Sequence, residues 1–321
     1  MPPAVAPSAL PPPSCPLACA RPGGVVLGTR DGYHIARCPG CDHLFVVERP
    51  GDEVLARVYD AYSYQENHLE TVSQVIHDRL AEIVAGFARY RALNRLLDVG
   101  FGAGAMLLAG QRQAWEVHGV ERSALAVSQA RSNGFVHALQ GDFLEVPYPP
   151  GSFDVLVMTE LIEHLPDPLP FLQQAARLLR GGGLLFMTTP NGAGISARVL
   201  AAEWSVVAPP EHLHLFSPRS MTHALARCGF ADVDIRTEAV NPIELVTGVR
   251  RKLRPGAAGA SAAATSPTSP APSGHSSIAL NERMSRNRAA RLAKSLANAV
   301  LRASHLGDSL KIRAVRQADQ R

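Results

Sequence analysis

Three groups of residues in this chain have types and spacings suited to chemistry. The first is the segment LLDVGFGAGA, residues 96–105, where an apolar run ends in Asp98 and Gly100, Gly102 and Gly104 follow at alternate positions. A parallel strand turns into a helix in this way while its backbone stays open to a ligand. Glycine has no Cβ to block close approach and accepts a positive φ, and the helix start presents unpaired N–H groups. Gly100, Gly102 and Ala105 satisfy the dinucleotide pattern G-x-G-x-x-G/A, so a nucleotide-bearing cofactor is expected on the turn, with a nicotinamide dinucleotide as one candidate. EVHGVE, 116–121, reads as a second strand that ends in Glu121. A carboxylate about 20 residues beyond such a turn can accept two hydrogen bonds from ribose hydroxyls.

The second group is acid–base. Glu160, Glu163 and His164 are spaced i, i+3, i+4, which puts them on one face of a helical turn. PPEHLHLFSP, 209–218, adds His212 and His214. An imidazole near neutrality is the natural general base, and His212 is preferred to His214 for that role. The alternative is that Glu163 and His164 bond internally and shape their loop. Trp204 is a weak candidate for an acceptor pocket.

The third group is the cysteines. Cys15 and Cys19 are followed, after 18 intervening residues, by Cys38 and Cys41. Two knuckles at this separation fit a structural zinc ribbon. Pro39 and Gly40 allow the tight turn in the second knuckle, whereas the first has one residue more than C-x2-C. A degenerate ribbon, or His34 or His43 in place of one sulfur, are the alternatives. Cys228 reads as a buried thiol.

Regular elements must position these groups. Alternating strand and helix patterns from 94 to 190 imply a parallel sheet. A helix over 66–90 precedes it, with Leu69, Val72, Val75, Ile76, Leu80, Ile83 and Val84 at helical spacing. FVHALQGDF, 135–143, reads as the third strand, 153–159 as the fourth, and 177–191 as a helix end, glycine turn and fifth strand. Ser217 and Pro218 start a helix that stops at Cys228 and Gly229. Strand six follows at 231–238. The alternation of SLKIRAVR, 309–316, marks a seventh.

The 321 residues carry a net charge of +4, unevenly spread: residues 250–321 hold 14 Lys and Arg against three acids, a net +11, leaving −7 on 1–249. Such a basic region suits an anionic surface, nucleic acid or an acidic substrate. Apart from His275, residues 255–277 are Ala, Ser, Pro, Gly and Thr, a composition that cannot bury a core. Leu280, Met284, Leu292, Leu296 and Val300 describe a basic helix over 278–304 that packs on the core or lies on an anionic membrane face. No apolar run approaches the roughly 18 residues a membrane span needs. The Pro-rich start lacks a basic n-region, so a cytoplasmic setting is expected.

The ordered series of motifs resembles the class I SAM-dependent methyltransferases, and is similar within them to the quinone-biosynthesis O-methyltransferases. The resemblance rests on Asp98 with Gly100, Gly102 and Gly104, on Glu121, on Asp142 and Phe143, on EHLPDP at 163–168 and on TPN at 189–191. It implies a Rossmann-like α/β fold with a seven-stranded sheet, helices on both faces and a small N-terminal zinc ribbon. It implies S-adenosyl-L-methionine as cofactor, bound through Asp98, Gly100, Gly102, Gly104, Glu121, Asp142, Phe143 and Glu160. Asp142 would contact the adenine amino group. His212, His164 and Glu163 are then the catalytic candidates, and in the quinone-related enzymes a similar Glu-x-x-Glu-His can hold a divalent metal. Cys15, Cys19, Cys38 and Cys41 would hold a structural zinc.

The implied organisation is a leader at 1–13, the ribbon module at 14–50, a helical segment at 51–92, the core at 93–240, an insertion at 241–306 and the last strand and tail at 307–321. The expected activity is methyl transfer to a small-molecule, sugar or lipid-intermediate acceptor, oxygen before carbon or nitrogen. A non-catalytic SAM-binding module is the rival. A nucleic-acid methyltransferase is less consistent, because no Asn/Asp-Pro-Pro-aromatic motif follows strand four.

Overall fold

The computed structural model describes residues 13–19, 23–63, 68–253 and 306–318. Residues 1–12 of the expected leader, the low-complexity stretch 255–277 and the basic helix 278–304 lie outside the described residues.

Three short strands open the fold: β1 (Val25–Arg30), β2 (Tyr33–Arg37) and β3 (Leu44–Val46). They pair antiparallel in sequence order, with a register shift in β1 between Val26 and Gly28. Two helices follow, α1 (Asp52–Ser63) and α2 (Gln74–Ala85). The helix expected over 66–90 is thus shorter, flanked by 3-10 turns at Leu69–Thr71 and Ala88–Tyr90. Ile83 and Val84 are buried, but Val75 and Ile76 are exposed. Only the C-terminal end of α2 therefore reaches the core.

The core alternates as expected: β4 (Arg95–Val99), α3 (Ala105–Arg112), β5 (Glu116–Glu121), α4 (Ala124–Ser132), β6 (Ala138–Gln140), β7 (Phe153–Thr159), α5 (Pro168–Leu178) and β8 (Leu179–Pro190). The strand read over 135–143 is only the three residues of β6, because Gly141 bends the chain and Asp142 caps a 3-10 turn at Phe143–Glu145. β8 continues through Gly181–Gly183 with a bulge: its register against β7 shifts between Leu179 and Leu184, and Gly182, at φ 74°, stands where the turn is expected. Next come α6 (Ile195–Leu200), β9 (His214–Leu215), α7 (Pro218–Arg227), β10 (Phe230–Glu238), α8 (Pro242–Leu253) and β11 (Ser309–Arg316). α8 occupies what composition marks as the start of an insertion. Among the described residues no helix is long and apolar enough to cross a membrane.

The seven-stranded sheet has the order β10-β11-β8-β7-β4-β5-β6. β11 is antiparallel to both neighbours, and the pairs from β8 to β6 are parallel. Six of the seven residues of β7 are buried, which is why it reads as a continuous apolar run with one acid. That acid, Asp154, accepts from Arg180 Nε at 2.6 Å and from the backbone N–H of Leu93 at 2.8 Å. Its charge is therefore compensated, and the entry to β4 is fixed. Apolar clusters cover both sheet faces: Leu97, Leu156, Leu185, Ile312 and the α5 and α7 faces on one, Phe87, Leu96, Val155, Phe186 and the α3 face on the other. β4 and β7 lie at the point where the strand order reverses, and open α/β sheets bind ligands at the carboxyl ends of such strands.

The second sheet has the order β1-β2-β3-β9. Its fourth strand comes from the core segment after β8, so the N-terminal module and the core share one sheet.

Candidate active site

The turn after β4 is built on three left-handed glycines, Gly100 at φ 69°, Gly102 at 50° and Gly104 at 79°. A side chain at Gly102 would meet no atom within 4 Å, so its backbone faces open space and glycine is required there by φ. Glu121, at the end of β5, braces this turn. Its Oε2 accepts from Gly102 N–H at 3.2 Å, and its Oε1 from the N–H groups of Arg122 at 2.7 Å and Ser123 at 3.0 Å.

Asp98 is 1% exposed and its Oδ1 has no hydrogen-bond partner. Burial, reinforced by the nearby Glu121 charge, pushes its carboxyl well above the ordinary carboxylate range. A buried acceptor without a donor is costly, so this site fits a ligand group that brings one. Asp142 Oδ1 caps the following 3-10 turn by accepting from Leu144 N–H at 2.9 Å.

A cavity of about 400 Å³ opens on these groups. Gly100, Gly102, Glu121, Asp142 and Phe143 line one part; Glu160, Leu161, His164, Pro210 and Glu211 line another; Leu55, Ala56 and Val58 of α1 also border it. Of the expected cofactor residues, Asp98 and Gly104 stand behind this lining. Glu160 adopts φ 48°, a conformation that costs a non-glycine residue about 1–2 kcal/mol. Its N–H is held by Thr188 O at 2.9 Å. The strained backbone is thus fixed at the junction of β7 and the acid–base turn.

Glu163, His164 and His212 offer donor atoms that all lie within 4.8 Å of one another. Ile162–His164 is a 3-10 turn rather than an α-helical face. Glu163 is 1% exposed, and its Oε2 accepts from Thr189 Oγ1 at 2.9 Å. Burial and the neighbouring Glu160 raise its pKa well above normal. His164 Nδ1–H donates to Glu211 O at 2.9 Å, and His212 Nδ1–H donates to Val206 O at 2.7 Å. In the neutral rings both Nε2 atoms are then acceptors, and the rings meet edge-on at 4.6 Å between centroids. Burial, with His212 alongside, lowers the His164 pKa to about 4. His164 borders the cavity, whereas His212 stands outside its lining.

Among the cysteines, the Sγ atoms of Cys15, Cys38 and Cys41 converge within 4.8 Å. Cys15 and Cys41 are 3.7 Å apart. Two thiolates bound to one tetrahedral zinc stand about 3.8 Å apart, from Zn–S bonds of roughly 2.3 Å. Burial tends to raise the Cys38 thiol, but N–H bonds from Cys41 and Gly40 outweigh it and lower the pKa. Cys19 is half-buried and lies outside this triad. Neither histidine considered as a substitute joins it: His34 pairs with Glu48, and His43 bonds to His214. Trp204 is 2% exposed within the Ile35, Leu44 and Leu200 cluster, so it packs the module against the core and does not border the cavity.

The methyltransferase-domain family matches residues 67–235, just over half of the chain. The chain belongs to that family. Its sheet order, with one antiparallel strand, is that of the class I methyltransferases. The chain is similar to 27-O-demethylrifamycin SV methyltransferase of Amycolatopsis mediterranei, at 33% identity over 149 residues, which is 42% of this chain and 54% of that protein. It is similar to the ubiquinone biosynthesis O-methyltransferase of Xanthomonas campestris, at 33% identity over 128 residues, 37% of this chain and 54% of that one. The chain spans about half the length of these curated relatives. Among solved structures, a SAM-dependent methyltransferase from Archaeoglobus fulgidus aligns at 16% identity and TM-score 0.47 over 75% of this chain and 94% of that one.

Within this methyltransferase-domain fold, the residues that sequence reading overlooked are Thr189, Glu211 and the α1 residues. Thr189 lies in the TPN motif and Glu211 directly precedes His212, so both stand inside segments already marked. Nothing in the α1 sequence shows that Leu55 and Val58 reach the cavity.

Proposed function

We propose that the chain transfers a methyl group from S-adenosyl-L-methionine to an oxygen of a small-molecule, sugar or lipid-intermediate acceptor. The observation that carries this reading is the single cavity bordered by the glycine turn, Glu121 and Asp142 on one part and by Glu160, His164 and Glu211 on another. The cofactor supplies a methyl group already activated on a sulfonium. Glu121 would accept from ribose hydroxyls and Asp142 from the adenine amino group, and the glycine turn, which borders the cavity at Gly100 and Gly102, would lie against the amino-acid portion. The orphan Oδ1 of Asp98 is the acceptor to which a buried donor or bridging water is drawn.

The acceptor oxygen attacks the methyl carbon in line, the C–S bond breaks, its electron pair stays on sulfur as a neutral thioether, and the acceptor proton passes to His164 Nε2. His164 borders the cavity, and burial lowers its pKa to about 4, so the ring is neutral at pH 7. His212 packs edge-on against it and holds its orientation. Glu163, locked by Thr189, sets the turn.

A second reading of the same residues is favoured by one feature. Both imidazoles donate Nδ1–H to backbone carbonyls, as metal-bound histidines usually do. Glu163, His164 and His212 would then hold a divalent cation that lowers the pKa of an acceptor hydroxyl. The three sulfurs of Cys15, Cys38 and Cys41 fit zinc, with Cys19 or solvent as fourth donor.

Methyl-labelled S-adenosylmethionine incubated with the protein and an extract of its own cells tests the main reading. Label is expected in a polar or lipid small-molecule fraction, lost with Glu121→Ala. Label that requires an added divalent cation selects the second reading. Tight cofactor binding with no transfer to any fraction would refute both.

A further inference from the structure

β9 is two residues long and lies at the edge of its sheet, too short to hold its own register. Its ladder partner is the cysteine module, while the core holds the next residue through Gly192 N–H to Phe216 O at 2.8 Å. Leu44 and Phe45 of β3 pair with Leu215 and His214. Val46 N–H donates to Leu213 O at 3.0 Å, and Leu213 N–H donates in turn to Glu163 O at 2.8 Å. One residue, Leu213, therefore links the module to the acid–base turn through the two peptide groups on either side of it, and it directly follows His212.

Two further bonds come from the second cysteine knuckle. Ser217 Oγ–H donates to Cys41 O at 3.1 Å. His43, fully buried two residues after Cys41, faces His214 across 3.1 Å, Nε2 to Nδ1. His214 Nε2–H points to Pro166 O at 3.5 Å, which makes His214 Nδ1 the acceptor and His43 the donor. The His43 ring also packs on Phe45 and Phe216, with centroids 5.9 and 4.7 Å away. On the core side, Arg37 of β2 donates to Gly192 O at 3.0 Å.

We propose that the cysteine module is a clamp on the 209–217 loop, that His43 is a positioning residue for His212 and the Glu163–His164 turn, and that metal at the knuckles keeps the clamp closed. The site part rests on the methyl-transfer reading above and the last part on the zinc reading. The chemistry is indirect: the knuckle fixes Cys41 O and His43, those fix β9, and β9 fixes Leu213 and the residues on either side of it.

The test uses the full chain, with zinc content measured throughout. His43→Leu removes the buried donor and keeps every cysteine. His43→Gln restores an Nε2–H donor at nearly the same place. In His43→Leu, amide hydrogen exchange at 211–215 and 162–164 is expected to rise about tenfold or more, the effect of losing a buried hydrogen bond. Exchange at 99–104 should change less than twofold. The ring nitrogen resonances of His164 and His212 should shift while those of His118 on β5 and of His137, stacked on it at 4.4 Å, stay in place. His43→Gln should reverse both effects, which simple loss of packing would not allow.

Removing zinc with a chelator should loosen the same segments. Unchanged exchange and ring signals in His43→Leu overturn the clamp. Loosening in His43→Leu with no effect of chelation overturns only the metal part, and a chain that takes up no zinc overturns the zinc reading together with that part. S-adenosylhomocysteine affinity, measured alongside, reports separately on the cofactor half of the site. If His43→Leu folds too poorly to measure, chelation of the unmutated chain tests the clamp and its metal together: local loosening supports both, and unchanged exchange with zinc gone overturns the proposal of a metal-closed clamp.

Discussion

Glu121→Gln is the sharpest probe of the cofactor reading, because the structure shows what the amide retains and what it loses. The carboxylate makes three backbone bonds: Oε1 to Arg122 and Ser123, and Oε2 to Gly102. An amide with its oxygen toward Arg122 and Ser123 keeps two of them. Its NH₂ then faces Gly102 N–H, donor against donor, and one of the two ribose-accepting positions is gone. Hydrogen bonds to a charged group contribute about 1.5–3 kcal/mol, and 1.4 kcal/mol is a factor of about ten. S-adenosylhomocysteine should therefore bind roughly 10- to 150-fold more weakly by calorimetry. Fold stability should fall far less, about 1 kcal/mol, since a single partly exposed backbone bond is lost. Glu116→Gln, at the other end of the same strand, is the control and should leave affinity unchanged. An affinity within threefold of the parent in Glu121→Gln would refute the reasoning and reduce Glu121 to a brace for the turn.

The remaining predictions concern pH, metal and packing. Asp98 has its pKa raised by burial and by Glu121, so the folded state binds more protons than the unfolded one. The unliganded protein should lose stability as pH rises above the ordinary aspartate value of 3.8. Asp98→Asn should remove that slope and raise Tm at pH 8 more than at pH 4.5; an identical slope in thermal melts would contradict it. Metal analysis should find about one zinc per chain, lost in Cys41→Ser and largely kept in Cys19→Ser, because only Cys15, Cys38 and Cys41 converge. Equal loss in the two variants would place Cys19 among the ligands. Ser217→Ala removes the N-cap bond to Ser220 and the bond to Cys41 O. It should cost about 1–3 kcal/mol in urea unfolding, and a loss below about 0.5 kcal/mol would show that neither bond is needed.

What the sequence disclosed, and what it withheld, divides by the range of the interactions. Features set within a few residues read directly. The 96–105 turn shows its glycines, α7 shows Ser217 and Pro218 at its start and Cys228-Gly229 at its end, and β11 follows from the alternation of Leu310, Ile312 and Ala314. The cofactor candidates were legible for the same reason, since a strand end fixes Glu121 and a bend fixes Asp142. Partnerships across long separations left no local mark. Thr189 locks Glu163 across 26 residues, and His43 meets His214 across 171. Neither residue type signals its partner.

β9 is the instructive case. Its two residues carry no pattern of their own and become a strand only because β3 is present to pair with them. The sequence divides a module at 14–50 from a core at 93–240, and β9 crosses that division. A covalent boundary drawn on composition therefore cuts through one hydrogen-bonded sheet. His212 directly precedes the segment on which the two parts meet. A cut made at the composition boundary should accordingly damage the acid–base cluster before it damages the glycine turn, which is braced entirely from β4 and β5.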